Sequence, residues 1–336
     1  MQTKKTVRTC GKLYWAGEYA VLRPGQAAII KNIPIYMTAN IWASKQYQLS
    51  SDMFSYKVGL EYDASYALIQ ETVLVMNEFL ASQAREEQPF SLTISGKMEK
   101  EGKKIGLGSS GSVVVLTVKA MSAFYDLDLS KDQIFKLASY ALLKRGDNGS
   151  MGDLACIVYE DLIYFQSFDR QKIREWIEKT SLEQVLVADW GYIIRRIPVG
   201  LSFDFLVGWT KEPAISKDMV KLVQEAISPA FLEETQEEVL FLEQALRRGD
   251  KTGIKISLEK VSNLLRKLNP AIYNKKLQKL KEASRGLDAV AKSSGAGGGD
   301  CGISLAFDQM ASHALTKLWH EQDIDLIYRE RMGQHD

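Results

Sequence analysis

The sequence predicts an α+β protein of two domains, and three observations carry that expectation. The chain has 336 residues, about twice the ~150 residues of a common single domain. Short strand-like runs mix with buried helical stripes in the first half, whereas charged amphipathic helices take over from about Trp176. The elements do not alternate as regular β-α-β units, so a doubly wound parallel sheet is not expected.

Taken in chain order, Gln26–Ile33 reads as a short buried strand. Apolar residues at 68, 69, 73, 76, 79 and 80 give Tyr66–Leu80 a helical stripe. Phe90–Ser95 alternates as a strand does, and the charged run KMEKEGKK that follows is unsuited to a buried strand. Val113–Tyr125 reads as a helix buried on most sides. Ser130 with Gln133 spells a capping box that opens a helix to about Lys144. Leu154–Tyr159 and Leu162–Phe168 look like two strands around a Glu160–Asp161 turn. Helices are then expected over Lys217–Ile227, Glu233–Arg248, Ile254–Leu268 and Tyr273–Arg285, with strands at Phe203–Trp209, Ile303–Phe307 and Ile324–Tyr328. The change of character sets the expected domains at 1–185 and 186–336.

Hydrophobic residues make up 46% and charged residues 25% of the chain, with a net charge of +1. That balance provides no global field to gather nucleic acid or an anionic membrane, so neither is expected as a partner. The start, MQTKKTVRTCGK, lacks an apolar core of signal-peptide length, and the apolar stretch Val113–Phe124 is broken by Lys119 and too short to span a bilayer. Cys10, Cys156 and Cys301 are far apart and odd in number, matching reduced thiols in the cytoplasm rather than a disulfide framework. Three histidines without an H-x-x-H-like cluster argue against a transition-metal site. Nothing in the chain reads out an oligomeric state.

The run GLGSSGS, residues 106–112, contains G-x-G-x-x-G. A dinucleotide loop needs a hydrophobic strand feeding the first glycine, and here the feed is charged. A Walker A loop needs Lys then Ser/Thr after its last glycine, and Gly111 is followed by Ser112. What remains is the physics common to both. Glycines let backbone N–H groups approach an anion, and the helix that follows adds unpaired N–H groups and a partial positive charge. Ser109, Ser110 and Ser112 add hydroxyls, and Lys103 and Lys104 precede the loop.

Two further runs accompany it: GKLYWAGEYAVL from Gly11, and SSGAGGGDCG from Ser293, with five glycines in ten residues. Together the three resemble the motifs of the GHMP kinases, the superfamily of small-molecule kinases that includes galactokinase, homoserine kinase and mevalonate kinase. The first motif is matched by Lys12, Gly17 and Glu18, the second by Gly106–Ser110 and the third by Gly295–Gly299. A fourth, usually P-S-G-x-D, stands here as GSMGD without the proline, supplying Ser150, Gly152 and Asp153. The four occur in family order over nearly the whole chain. Within the superfamily, these runs and LLKRGDNGSMGDLA are most similar to the bacterial phosphomevalonate kinases. The galactokinase sugar signature is absent, and Tyr19 stands where mevalonate kinases typically have histidine.

The resemblance implies a two-domain GHMP kinase fold, with a left-handed β-α-β unit in the N-terminal domain and a ferredoxin-like C-terminal domain. It implies ATP and Mg²⁺ as cofactors and mevalonate 5-phosphate as acceptor, the products being the diphosphate and ADP. Mevalonate kinase, another superfamily member, or an inactive nucleotide and metabolite sensor are the alternatives. Lys12 and Asp153 are the expected catalytic pair, with Asp153 either a base or an electrostatic organiser. Gly106, Leu107, Gly108, Ser109, Ser110, Gly111 and Ser112 form the expected phosphate cradle, and Ser110 is also the expected Mg²⁺ ligand. Lys104, Arg145, Ser150, Ser294, Gly295, Ala296 and Gly297 are expected at the acceptor. Glu18 is expected to be structural, capping or ion-paired near Lys12. Leu142 occupies the position of the magnesium-binding glutamate of mevalonate kinases.

Overall fold

The computed structural model describes residues 4–96, 98–214 and 216–333. Its first sheet is built on β2 (Ala27–Ala43), a 17-residue strand. β1 (Lys5–Ala16) runs antiparallel along one edge of β2, with a register shift between Cys10 and Gly11 where Pro34 is accommodated. Proline cannot donate to a ladder, so a bulge is where it is tolerated. The other edge of β2 is shared. β4 (Phe90–Ser95) pairs with its C-terminal part and β7 (Leu162–Gln166) with its N-terminal part. β3 (Gln48–Ser51) lies parallel to β4, with α1 (Ala67–Ser82) as the crossover. The charged run after β4 forms a two-rung exposed hairpin, β5 (Glu99–Lys100) with β6 (Lys103–Lys104).

Buried helices cover this sheet. α2 (Ser109–Phe124) packs on β1 and β2, beside α3 (Lys131–Lys144) and α4 (Gly152–Tyr159). The Ser130–Gln133 capping box forms as expected. The strand expected over Leu154–Tyr159 does not. That segment is α4, buried from Leu154 to Val158. A short, wholly apolar run has no periodicity to separate strand from buried helix. α5 (Arg170–Lys179) and α6 (Leu182–Val187) follow, and β8 (Ile193–Arg196) returns to pair with β7. A division at 185/186 therefore cuts β8 from its sheet, and the hand-over between sheets falls after Arg196.

The second sheet uses β9 (Phe203–Trp209), β10 (Ala289–Ser293), β11 (Cys301–Ala306) and β12 (Asp325–Met332) in the order β10-β11-β9-β12, every pair antiparallel. α7 (Ser216–Val223), α8 (Pro229–Arg248), α9 (Lys251–Leu268) and α10 (Lys275–Glu282) lie between β9 and β10, and α11 (Gln309–Glu321) between β11 and β12. This is the split β-α-β arrangement of a ferredoxin-like sheet. The two halves share one core: Trp15 of β1 packs on Phe205 and Phe203 of β9 at ring distances of 5.1 and 6.1 Å. No helix among the described residues is long and apolar enough to cross a membrane.

Asp204, buried at the start of β9, accepts hydrogen bonds from Arg329 and Arg331 of β12 at 2.5 and 3.2 Å. Burial alone would raise its carboxyl, but the hydrogen bonds outweigh that and hold it below its usual value. A depressed native pKa gives stabilisation that is complete at neutral pH and lost as the pH falls through that pKa. Asp204→Asn should cost about 1–3 kcal/mol at neutral pH. Urea denaturation of both proteins should show the gap closing towards acid.

Candidate active site

The phosphate loop begins at the end of β6. Gly106 and Gly108 both adopt left-handed conformations, with φ of 85° and 80°, which a glycine adopts without Cβ strain. α2 starts four residues earlier than its apolar stripe, at Ser109, with Gly108 as N-cap. The first intrahelical bond runs from the Ser112 N–H to the Gly108 carbonyl. The N–H groups of Ser109, Ser110 and Gly111 are therefore left without helical partners at the mouth of a cleft of about 680 Å³. Ser110 is exposed there, and neither its hydroxyl nor that of Ser109 is hydrogen-bonded among the described residues.

Each loop glycine leaves space for a charged side chain. A Cβ at Gly106 would lie 2.5 Å from the Asp300 Oδ2, one at Gly108 2.6 Å from the Lys12 Cε, and one at Gly111 2.7 Å from the Asp153 Oδ2. The loop is also docked on β1: the Lys12 N–H donates to the Leu107 carbonyl at 3.0 Å, and Leu107 is buried. Read from Gly106 to Gly111, the loop thus lies along a carboxylate, an ammonium and a second carboxylate.

Asp153 lies in the first turn of α4, where a negative charge complements the helix dipole. Burial raises its carboxyl above the usual value, and Lys12 opposes that shift. The turn before α4 places Ser150 in the cleft wall, its hydroxyl 3.3 Å from the Tyr14 hydroxyl and accepting from the Gly152 N–H. Lys12 also faces the Tyr14 ring, at 5.3 Å from its centre.

The opposite wall is the glycine turn between β10 and β11. Gly295 and Ala296 line the cleft. Three contacts fasten this turn to the first motif. The Ser294 hydroxyl donates to the Tyr14 carbonyl at 2.8 Å, the Tyr19 hydroxyl donates to the Ala296 carbonyl at 2.5 Å, and Lys292 pairs with Glu18 at 2.5 Å. Glu18 and Lys292 are both almost wholly buried.

Comparison with known proteins places this geometry. A sequence model of the GHMP kinases N terminal domain matches residues 67–161. A phosphomevalonate kinase of Streptomyces sp. (strain CL190) is 31% identical, the match covering 91% of this chain and 90% of that one. The chain belongs to the GHMP kinases. A solved Streptococcus pneumoniae phosphomevalonate kinase in complex with phosphomevalonate and AMPPNP is 54% identical, with a TM-score of 0.97 over 98% of this chain and 100% of that one. Methanococcus jannaschii mevalonate kinase shares the fold, at 21% identity and a TM-score of 0.74 over 98% and 99% of the two chains.

In this GHMP kinase the cleft gathers Lys12, Asp153, Lys104, Ser150 and the loop from Gly106 to Gly111. Three expectations change. Ser112 is wholly buried and donates to the Cys10 carbonyl at 2.8 Å, so it braces α2 on β1 instead of reaching the cleft. Arg145 caps α3 and pairs with Glu71 of α1 at 2.9 Å, outside the cleft wall. Ser294 and Gly297 are seats for the turn: a Cβ at Gly297 would meet Ile272 at 2.5 Å. Of the roles expected for Glu18, the structure shows an ion pair, with Lys292 as its partner. Sequence reading passed over Lys292 and Asp300. The first is hidden in an apolar strand, while the second stands directly after three glycines, a position whose strain is itself a signal.

A buried pair broken on one side leaves an uncompensated charge, costing about 3–5 kcal/mol. Lys292→Met should destabilise the kinase by that order, and adding Glu18→Gln should recover much of the loss. Chemical denaturation of the two variants measures both effects.

Proposed function

We infer that this kinase transfers the γ-phosphoryl of ATP to the phosphate of mevalonate 5-phosphate, giving mevalonate 5-diphosphate and ADP. The observation that carries the reading is the 54% identity across nearly both full chains to an enzyme solved with phosphomevalonate and AMPPNP. The nucleophile is then a phosphate oxygen, largely ionised above its second pKa of about 6. It has little need of a strong base. The barrier lies in bringing two polyanions together, so catalysis rests on positioning and cations.

The residues divide that work by position. The free N–H groups of Ser109, Ser110 and Gly111 cradle the ATP phosphates. Lys12, held against Gly108, bridges the transferring phosphoryl and the acceptor. Lys104 holds the acceptor phosphate from the hairpin side. Ser150 hydrogen-bonds the acceptor, and Asp153 orients Lys12 rather than removing a proton.

No group of three or more acidic, histidine or cysteine side chains forms a metal cage among the described residues. The Ser110 hydroxyl and the Asp153 carboxylate, both lining the cleft, fit Mg²⁺, which commonly keeps its waters and is held by one or two protein ligands plus substrate phosphates. They are the groups to hold it, and Leu142 adds no ligand. When bound, the ion supplies neutralisation of phosphate charge. The three free cysteines, all buried, suit a reducing cytoplasm.

Turnover with mevalonate 5-phosphate should exceed that with mevalonate by ~10²-fold or more, because a site built for a phosphate leaves its cations unpaired without one. Coupled ADP release with both acceptors measures this, and equal or better turnover of mevalonate would reassign the kinase. Lys12→Met should lower kcat/KM by ~10³-fold or more, and Asp153→Asn, which preserves shape, by less. Steady-state kinetics at saturating MgATP decides the order.

A further inference from the structure

Asp300 has no assigned part in the chemistry above, yet it is the point where three parts of the cleft meet. It follows the glycine turn and adopts a left-handed φ of 55°. Its backbone N–H donates to the Glu212 carbonyl at 2.7 Å, and its carbonyl accepts from the Thr210 N–H and hydroxyl, both at 2.9 Å. One carboxylate oxygen accepts from the Ala214 N–H at 3.1 Å. The other occupies the space that a side chain at Gly106 would need. Asp300 therefore fastens the 210–214 segment across the cleft and sets a carboxylate against the first glycine of the phosphate loop.

The anchoring alone does not call for a charge. An asparagine oxygen accepts from the Ala214 N–H equally well, and asparagine tolerates a left-handed backbone at least as readily as aspartate. A carboxylate beside a phosphate loop opposes the binding of every anion that enters. Asp300, Lys12 and Lys104 line the same cleft, with Asp300 against Gly106 and Lys12 against Gly108; burial pushes the Asp300 carboxyl up, and the Ala214 N–H and the two lysines oppose that shift. Those are the two cations proposed to hold the phosphates. Left alone, two lysines and a helix N-terminus bind a polyanion tightly and hold on to it. The acceptor also leaves the site more highly charged than it entered.

We propose that Asp300 is a charge-balancing residue of the transfer site: it offsets Lys12 and Lys104 so that the phosphorylated product is released rather than trapped. This rests on the reading of the site as one that makes a diphosphate. Product release limits many enzymes, and differences in affinity among related complexes lie mostly in the off-rate. Two further carboxylates line the cleft without a part in the chemistry: Glu18 is paired with Lys292, and Asp147 accepts from the Gly149 N–H in its own turn.

The test is Asp300→Asn, which removes the charge and preserves the anchor. Its kcat should fall several-fold and its KM for mevalonate 5-phosphate should fall with it. Calorimetry should show mevalonate 5-diphosphate binding about tenfold more tightly or better. Inorganic pyrophosphate, titrated without metal, should also bind more tightly, and this arm does not depend on the acceptor's identity. Unchanged or weaker pyrophosphate binding would overturn the proposal. So would a raised Mg²⁺ requirement with unchanged product affinity, which would make Asp300 a cation ligand. If the wild-type protein fails to turn over mevalonate 5-phosphate, the functional reading falls, and the pyrophosphate arm still decides the role of the charge. Amide exchange over residues 210–214 should match the wild type in Asp300→Asn and be faster in Asp300→Ala. Equal exchange in all three proteins would refute the anchor.

Discussion

The site depends on the close approach of the backbone at 106–111 to charged side chains. Three glycines in that loop stand where a Cβ would collide with Asp300, Lys12 and Asp153. A glycine-rich phosphate loop is usually explained by the ligand: the backbone must come near an anion. Here the protein itself occupies the space behind the loop before any ligand enters. The glycines therefore serve two partners. The free N–H groups of Ser109, Ser110 and Gly111 stand at the cleft, and the missing side chains of the glycines admit the charges that act there.

That arrangement needs both halves of the chain held in register. Asp300 belongs to the second sheet's turn, and Lys12 and Asp153 to the first half. The connection is made by a shared aromatic core at Trp15, Phe203 and Phe205, by the buried Glu18–Lys292 pair, and by the Tyr19 hydroxyl on the Ala296 carbonyl. Tyr19 adopts a positive φ of 64° to reach that carbonyl. For a bulky residue this is a strained conformation, stabilised by the contact it makes. A buried ion pair is weak evidence of net stability but strongly specifies which surfaces meet. Its place here, between the first motif and the glycine turn, suits a fold whose reacting groups come from both sides of one cleft.

Much of this was legible in the sequence where the signal is local. Phe203–Trp209 is a strand over the expected residues, and the Ser130 cap opens α3 as its spacing predicts. The four motifs place Lys12, Asp153, Ser150 and the loop in one cleft. What was hidden depends on tertiary context. The Leu154–Tyr159 run is apolar throughout and buried as far as Val158, so its hydrophobic pattern carries no period and a helix reads as a strand. α2 begins in glycine and serine, residues of low helix propensity, so its first turn was invisible behind the apolar stripe. Arg145 and Ser112 were assigned by proximity in sequence to motifs. Arg145 instead meets Glu71 from a distant helix, and Ser112 faces β1 because the first turn of α2 rotates it inward.

The most direct test of this account is a thermodynamic cycle on Gly111 and Asp153. Gly111 has no left-handed φ, so alanine there is free of backbone strain and should gain about 0.5–1 kcal/mol from helix propensity alone. If the glycine exists to admit Asp153, Gly111→Ala destabilises the wild-type protein, and becomes neutral or stabilising when introduced into Asp153→Ala. Unfolding free energies of the four proteins measure the coupling. An equal loss in both backgrounds would contradict the account, because the glycine would then be required by something other than the charge behind it.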